Sequence, residues 1–229
     1  MSWNYLATNQ YGSVSGWGTN NVNEYVITQN QIDNAQMMWS FFRNQGYSEQ
    51  ATAAIIGNAM WESLINPGQF EYYTNMNDWT SYGLGLLMWT PKSKIKNYAD
   101  SVGGDVYSGD LQCRFYLQNE AEGWNMYRGL TQYPNYPYIM TPGEFKLSTQ
   151  SPSYLAEVFG CNYEGGTYSR VRSTNSDYWY NYFTGTPPGP GPEPGGGGLG
   201  AWFAIFRLQK QRRSSGIIVP KPGPHKWYF

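Results

Sequence analysis

Few side chains in this 229-residue sequence can do acid–base or covalent chemistry. There is one histidine, His225, and two cysteines, Cys113 and Cys161. A catalytic zinc takes three protein ligands, usually with histidines among them, and neither HExxH nor CxxC is present. A Ser-His-Asp or Cys-His device would have to recruit His225 from the C-terminal tail. No phosphate-binding GxxxxGK[ST] loop or dinucleotide fingerprint occurs. The sequence therefore points to carboxylate chemistry, with no metal and no cofactor.

Glu62 stands apart among the carboxylates. A helix is predicted over 49–64, with Ser48 as N-cap and Glu49 in the first turn. Asn66-Pro67-Gly68 ends it. Positions 51, 55, 58, 59 and 62 share one side, so Glu62 lies in line with Ala51, Ile55 and Ala59, flanked by Met60 and Trp61. Apolar burial removes water from the charge, and the last carbonyls of the helix present negative partial charge. Both favour the protonated carboxyl that a general acid needs near neutral pH. Downstream, Tyr82-Gly83-Leu84-Gly85-Leu86-Leu87-Met88-Trp89-Thr90-Pro91 is strand-like, and its glycines allow close approach of backbone or ligand.

The elements that position these residues are mostly helical. Ile32, Ala35, Trp39 and Phe42 mark a helix over 31–44, stopped by Gly46. Further helices are predicted over 93–102, 110–120 and 174–183. Thr141-Pro142 and Ser151-Pro152 each read as an N-cap with proline at N1; the second opens a helix with Leu155, Val158 and Phe159 inward. Residues 69–90 are expected to form a loop and a small β-hairpin. The fold class is thus mainly α (α+β). An N-terminal arm (1–29) precedes a helical body (30–184) large enough for its own core. A Pro/Gly linker (185–198) and a short tail (199–229) follow.

Composition narrows the partner. Aromatics make up 18% and charged residues 14%, against roughly 25% charged in an average soluble domain. Mean hydropathy is still −0.59, so Asn, Gln, Ser, Thr, Gly and Tyr carry the polarity. A wet, aromatic, nearly uncharged surface suits neutral polymers such as glycans better than nucleic acid. Residues 1–184 hold nine Lys/Arg against fifteen Asp/Glu, whereas residues 185–229 hold six against one. The basic tail also carries Trp202, Phe203 and Phe206, an exposed set expected to dock on another protein. The N-terminus lacks the basic and apolar regions of a secretory signal. The longest apolar run, 199–206, is far short of the ~20 residues a spanning helix needs, so no membrane span is expected. Cys113 and Cys161 are expected as free buried thiols.

These pieces together resemble the phage tail lysozyme family, the lysozyme-like domains of virion-associated peptidoglycan hydrolases. The match runs over about 25–184. It includes Asn34-Ala35-Gln36, then Ala53-Ala54-Ile55-Ile56-Gly57-Asn58-Ala59-Met60 and Glu62-Ser63-Leu64-Ile65-Asn66-Pro67-Gly68. Thr80-Ser81, Gly83, Gly85-Leu86 and Trp89-Thr90-Pro91 follow, then Leu155-Ala156 to Phe159, Tyr163-Glu164, Arg170 and Tyr178-Trp179-Tyr180. The family carries its catalytic glutamate where Glu62 stands. The resemblance implies a lysozyme-like helical domain that cleaves peptidoglycan between N-acetylmuramic acid and N-acetylglucosamine. It implies a virion location at the tail tip or knob, with other tail proteins as partners through the C-terminal tail. The family usually has Gln before the Trp-Thr pair, where Met88 stands here, and a sugar amide loses one hydrogen-bonding partner. Relatives in podophage tail knobs often continue into a metallopeptidase domain, where the linker and short tail follow in this sequence.

For a glycosidase a second carboxylate matters. Its distance from the acid is about 5–5.5 Å in retaining enzymes and about 6.5–9.5 Å in inverting ones. Glu71 and Asp78 are the candidates, and no carboxylate lies within 81–91. Inverting hydrolysis, with Asp78 or Glu71 positioning water, and lytic transglycosylation by Glu62 alone both stay open. Trp79, Tyr82 and Trp89, together with Ser81 and Met88, are expected to bind the sugar substrate. The competing readings are a tail-tip structural or glycan-binding protein without turnover, and a lysis-stage endolysin.

Overall fold

The computed structural model describes residues 3–5, 27–71, 77–126, 138–165 and 170–185. The chain divides into two units, Met1–Pro188 and Gly189–Phe229. The expected linker and tail, and most of the expected arm, lie outside the described residues.

Local sequence signals explain most helix starts. Helix α1, Gln29–Asn44, opens with a capping box. Thr28 Oγ1 accepts from the Gln31 amide, and the Gln31 side chain accepts from the Thr28 amide at 2.8 Å. The box starts α1 two residues before the apolar period does. Helix α2, Glu49–Ser63, is capped by Ser48, whose hydroxyl accepts from Ala51 N at 3.0 Å. Helix α3 spans Ser93–Ser101 and α4 spans Gly109–Gly123. Helix α5, Pro142–Leu147, and α6, Pro152–Phe159, are capped by Thr141 and Ser151 with proline in the first turn. Leu155, Val158 and Phe159 of α6 are fully buried. The chain continues through a five-residue π-helical segment, Gly160–Glu164, that periodicity does not predict. Helix α7, Arg170–Thr184, begins four residues earlier than its apolar period indicates.

Helix α2 is the axis of the fold. Every residue from Ala51 to Met60 is buried, so the helix is covered on all sides rather than along one stripe. Its two main neighbours are α7 and α6. Gly57 is the point of closest approach. A Cβ there would stand 2.6 Å from Ser176 N and 2.8 Å from Ser176 Cα. Only glycine lets the two backbones meet this closely. Around this axis, aromatic rings fill the space between α1, α4 and α6. Phe42, Tyr116 and Phe159 form a run of ring contacts with centroids 5.6 Å apart at each step.

The expected hairpin is not confirmed by the described residues of this stretch, 69–71 and 77–90. Among the described residues there are two isolated antiparallel bridges, Phe70 with Leu84 and Leu84 with Trp89. The reason is a tight reversal. Gly85 at φ 90° and Met88 at φ 49° turn the chain back, with Met88 N donating to Gly85 O at 3.1 Å. Leu84 is therefore paired on both sides and no long ladder forms. Gln112, buried in α4, fastens this segment. It accepts from Leu86 N at 2.8 Å and donates to Pro67 O at 2.7 Å and Val106 O at 2.8 Å.

Cys113 and Cys161 are free and buried, and burial raises both thiols above their ordinary value. No helix among the described residues is long and apolar enough to cross a membrane.

Candidate active site

Glu62 sits in the last turn of α2, 7% exposed. The chain then leaves the helix through Leu64 (φ 56°) and Ile65 (φ 58°), two consecutive left-handed residues that are not glycine. Leu64 N and Ile65 N return to the Met60 and Ala59 carbonyls, which occupies carbonyls at the helix end. Neighbouring motif residues hold this exit in place. Asn34 donates to Ile65 O at 2.8 Å, and Ser63 Oγ donates to Leu86 O at 3.0 Å. Asn66 Oδ1 accepts from Gly68 N at 3.0 Å. Tyr82 (φ 57°) and Met88 complete the four positive-φ residues other than glycine among the described residues. All four fall between 64 and 88. Strain concentrated in this way is typical of functional loops.

Glu62 has a cationic partner. Arg172 of α7, 4% exposed, donates from Nη2 to Glu62 Oε1 at 2.7 Å. Its Nη1 donates to Asn58 Oδ1 at 2.5 Å. Asn58 and Glu62 are one turn apart on α2, so a single guanidinium fork spans both. The guanidinium carbon also lies 5.6 Å from the centroid of the Trp61 ring. Asn58 is held by its own donations to Ala54 O and Ala156 O. Gly160 leaves room for the arginine stem, since a Cβ there would stand 3.3 Å from Arg172 Cδ.

Glu164 is the last residue of the π-helical segment. Its Oε1 is buried and has no hydrogen-bond partner, and it feels the charges of both Glu62 and Arg172. Burial pushes both carboxyls up. Glu164 is raised further by Glu62, while Arg172 opposes the rise at each. The expected burial of Glu62 is thus present, but its environment also includes an arginine that stabilises its charged form.

The other expected residues lie along the segment beyond α2. Glu71 Oε2 accepts from Gly83 N at 2.6 Å, and its charge adds to the rise at Glu62. Asp78 Oδ1 accepts from Thr80 N at 2.9 Å and from Thr80 Oγ1 at 2.6 Å, which holds it below the usual carboxylate range. Lys92, fully buried over the Phe70 ring, is attracted by both Asp78 and Glu71, and burial lowers its pKa. Trp79 packs on Phe70 with Lys96 above its ring. Ser81 is half-buried and Tyr82 is 45% exposed. Trp89 and Met88 are nearly covered. The Trp89 indole donates to Tyr163 Oη at 2.9 Å and its ring meets Phe115 edge-on. A sugar would reach either residue only along a narrow exposed edge. Among the described residues no group of His, Cys, Asp and Glu could hold a metal ion.

A helical domain with a buried glutamate at the end of its central helix defines a class that sequence comparison identifies. The chain matches the model for "Phage tail lysozyme" over residues 33–183, and it belongs to that family. It is similar to Morphogenesis protein 1 of Bacillus phage B103, 31% identical over 167 residues and covering 71% of this chain. That stretch spans 42% of the relative's length.

Arg172, Glu164 and Lys92 do not stand out for chemistry in the sequence. A signal for Arg172 nevertheless exists. Once α7 is started at 170, Arg172, Asn175, Ser176 and Trp179 fall on one face. An arginine on a buried face requires an acidic or carbonyl partner.

Proposed function

We propose that this phage tail lysozyme is a muralytic glycosidase that cleaves the N-acetylmuramic acid–N-acetylglucosamine strand of peptidoglycan. The observation that carries this reading is Glu62, a shielded carboxyl at the end of the central helix in a family of tail lysozymes. Protonated Glu62 gives its proton to the bridging oxygen as the glycosidic bond breaks. Asp78 or Glu71 then directs water to the sugar carbon, or Glu62 takes a proton back in an intramolecular transglycosylation. Asp78, held as a carboxylate by Thr80, has the charge state a base requires. Trp79, Ser81 and Tyr82 offer surface for sugar rings, and Met88 and Trp89 shape the turn beneath. Acting from the virion at the tail tip or knob, the enzyme opens the wall locally for DNA entry. The test is release of reducing ends or loss of turbidity from purified peptidoglycan, with Glu62→Gln as control. Activity that survives this substitution removes Glu62 from the chemistry.

The ion pair with Arg172 favours a second reading, a tail component that binds glycan without turnover, because the pair stabilises the charged form of Glu62. Wild-type protein that sediments with peptidoglycan but releases no sugar ends at any pH supports this second reading.

A further inference from the structure

We propose that Arg172 is a positioning residue for Glu62: a guanidinium seated on Asn58 holds Glu62 Oε1, so that the proton the acid delivers sits on Oε2. This role deepens the glycosidase reading and rests on it for its catalytic consequence.

Glu62 lies in the last turn of α2, where the helix gives way to the left-handed residues Leu64 and Ile65. A glutamate side chain has three torsions, and at such a place it samples several rotamers unless a partner fixes it. Arg172 supplies that partner from α7. Its Nη2 donates to Glu62 Oε1 at 2.7 Å and its Nη1 to Asn58 Oδ1 at 2.5 Å. Arg172 Nε is buried without a hydrogen-bond partner, so the two terminal nitrogens carry the seat. The Asn58 amide nitrogen is committed to Ala54 O at 2.9 Å and Ala156 O at 3.1 Å, which fixes the direction of its oxygen. The Trp61 ring centroid stands 5.6 Å from the guanidinium carbon. Groups from α2, α6 and α7 thus define one orientation of the guanidinium before substrate arrives.

This orientation gives the two carboxyl oxygens different tasks. In a carboxylic acid the carbonyl oxygen is the better acceptor and the hydroxyl is the donor. Arginine stays protonated at every working pH, so Oε1 remains the acceptor and the proton belongs to Oε2. In the acid step that proton passes to the bridging oxygen, which keeps the electron pair of the C–O bond that breaks. Negative charge then develops on Glu62, and the bond from Arg172 becomes charge-assisted as it does so. Burial raises the pKa of Glu62, Arg172 opposes the rise and Glu71 adds to it. Glu164 and Cys161 feel the same guanidinium, and Glu164 also feels Glu62.

The experiment compares pH profiles of kcat and KM on peptidoglycan fragments for the full chain as wild type, Arg172→Gln and Arg172→Lys. Glutamine removes the positive charge, so Glu62 keeps its proton to higher pH and the alkaline limb of kcat should move upward. Lysine keeps the charge but lacks the fork that spans Glu62 and Asn58, so its limb should stay nearer the wild-type position. Both variants should lose about ten- to hundredfold in kcat at their own optimum pH, as a misplaced catalytic group costs, with KM nearly kept. An ion pair that served packing alone would lower Tm and leave the limb in place. A limb that Arg172→Gln does not move overturns the proposal, and so does a wild-type kcat in both variants.

Should neither variant fold, ¹⁵N NMR of Arg172 in the wild-type chain decides. Its two Nη signals should stay separate on both sides of the Glu62 titration, as a clamped guanidinium gives. Signals averaged by free rotation on either side overturn the proposal. Wild type that releases no sugar ends at any pH refutes the glycosidase reading alone, because the Nη signals test the clamp without turnover.

Discussion

Arg172 Nη2 lies 2.7 Å from Glu62 Oε1, joining two nearly water-free side chains that are 110 positions apart in the chain. The contact fixes the last turn of α2 against the first turn of α7. Removing one partner strands a buried charge. Arg172→Ala should therefore cost about 3–5 kcal/mol, measured by urea unfolding. Glu62→Gln keeps an acceptor for the guanidinium and should cost distinctly less. Equal losses for the two variants would show that the pair adds little beyond side-chain volume.

Stability should also depend on pH through Glu164. Glu164 has its folded pKa raised, so the folded chain holds a proton that the unfolded chain gives up. Its contribution is full below the ordinary glutamate value and is lost as pH rises toward the raised value. Glu120 and Asp177 are raised in the same way, so wild type alone does not isolate the effect. The comparison is the urea midpoint of wild type and Glu164→Gln from acid to mildly alkaline pH. The wild-type decline should be steeper, by about 1.4 kcal/mol for each pH unit that separates the folded from the unfolded pKa. Parallel curves would mean that Glu164 titrates normally.

Gly57→Ala probes how the site is positioned. The added Cβ would meet Ser176 backbone at 2.6–2.8 Å, which a flexible side chain cannot relieve. Helices α2 and α7 must separate, at a cost of about 1–3 kcal/mol. Because Arg172 is one turn before Ser176, the ion pair should loosen as well. The expected result is a lowered Tm together with reduced activity. A lowered Tm with wild-type activity would uncouple the helix crossing from the site.

Much of this frame is legible in the sequence. Ser48, Thr141 and Ser151 mark helix starts through side-chain oxygens that satisfy local amides, and that information is contained within four residues. The buried end of α2 is legible because alanine and isoleucine surround it. The tight turn at 84–89 is not legible, because its placement depends on Gln112 reaching across from α4. The early start of α7 is hidden because Arg170, Val171 and Arg172 add no apolar period. Glu164 is concealed by the π-helical segment, which breaks the 3.6-residue spacing on which such readings rely.

Tyr82 is the most exposed of the expected sugar contacts, at 45%. Tyr82→Ala should raise KM for peptidoglycan fragments about two- to tenfold, the range an aromatic contact supplies, with kcat nearly kept. Trp89→Phe removes the indole donor to Tyr163 and should lower Tm more than it changes KM. The reverse pattern would assign sugar binding to Trp89.

Mass analysis of muropeptides released by wild type and Glu62→Gln reaches the central claim most directly. The account predicts that wild type cuts between N-acetylmuramic acid and N-acetylglucosamine, giving either a reducing or an anhydro end. It predicts at least about a hundredfold less product from Glu62→Gln at unchanged fold. Wild-type quantities of the same product from Glu62→Gln would contradict it.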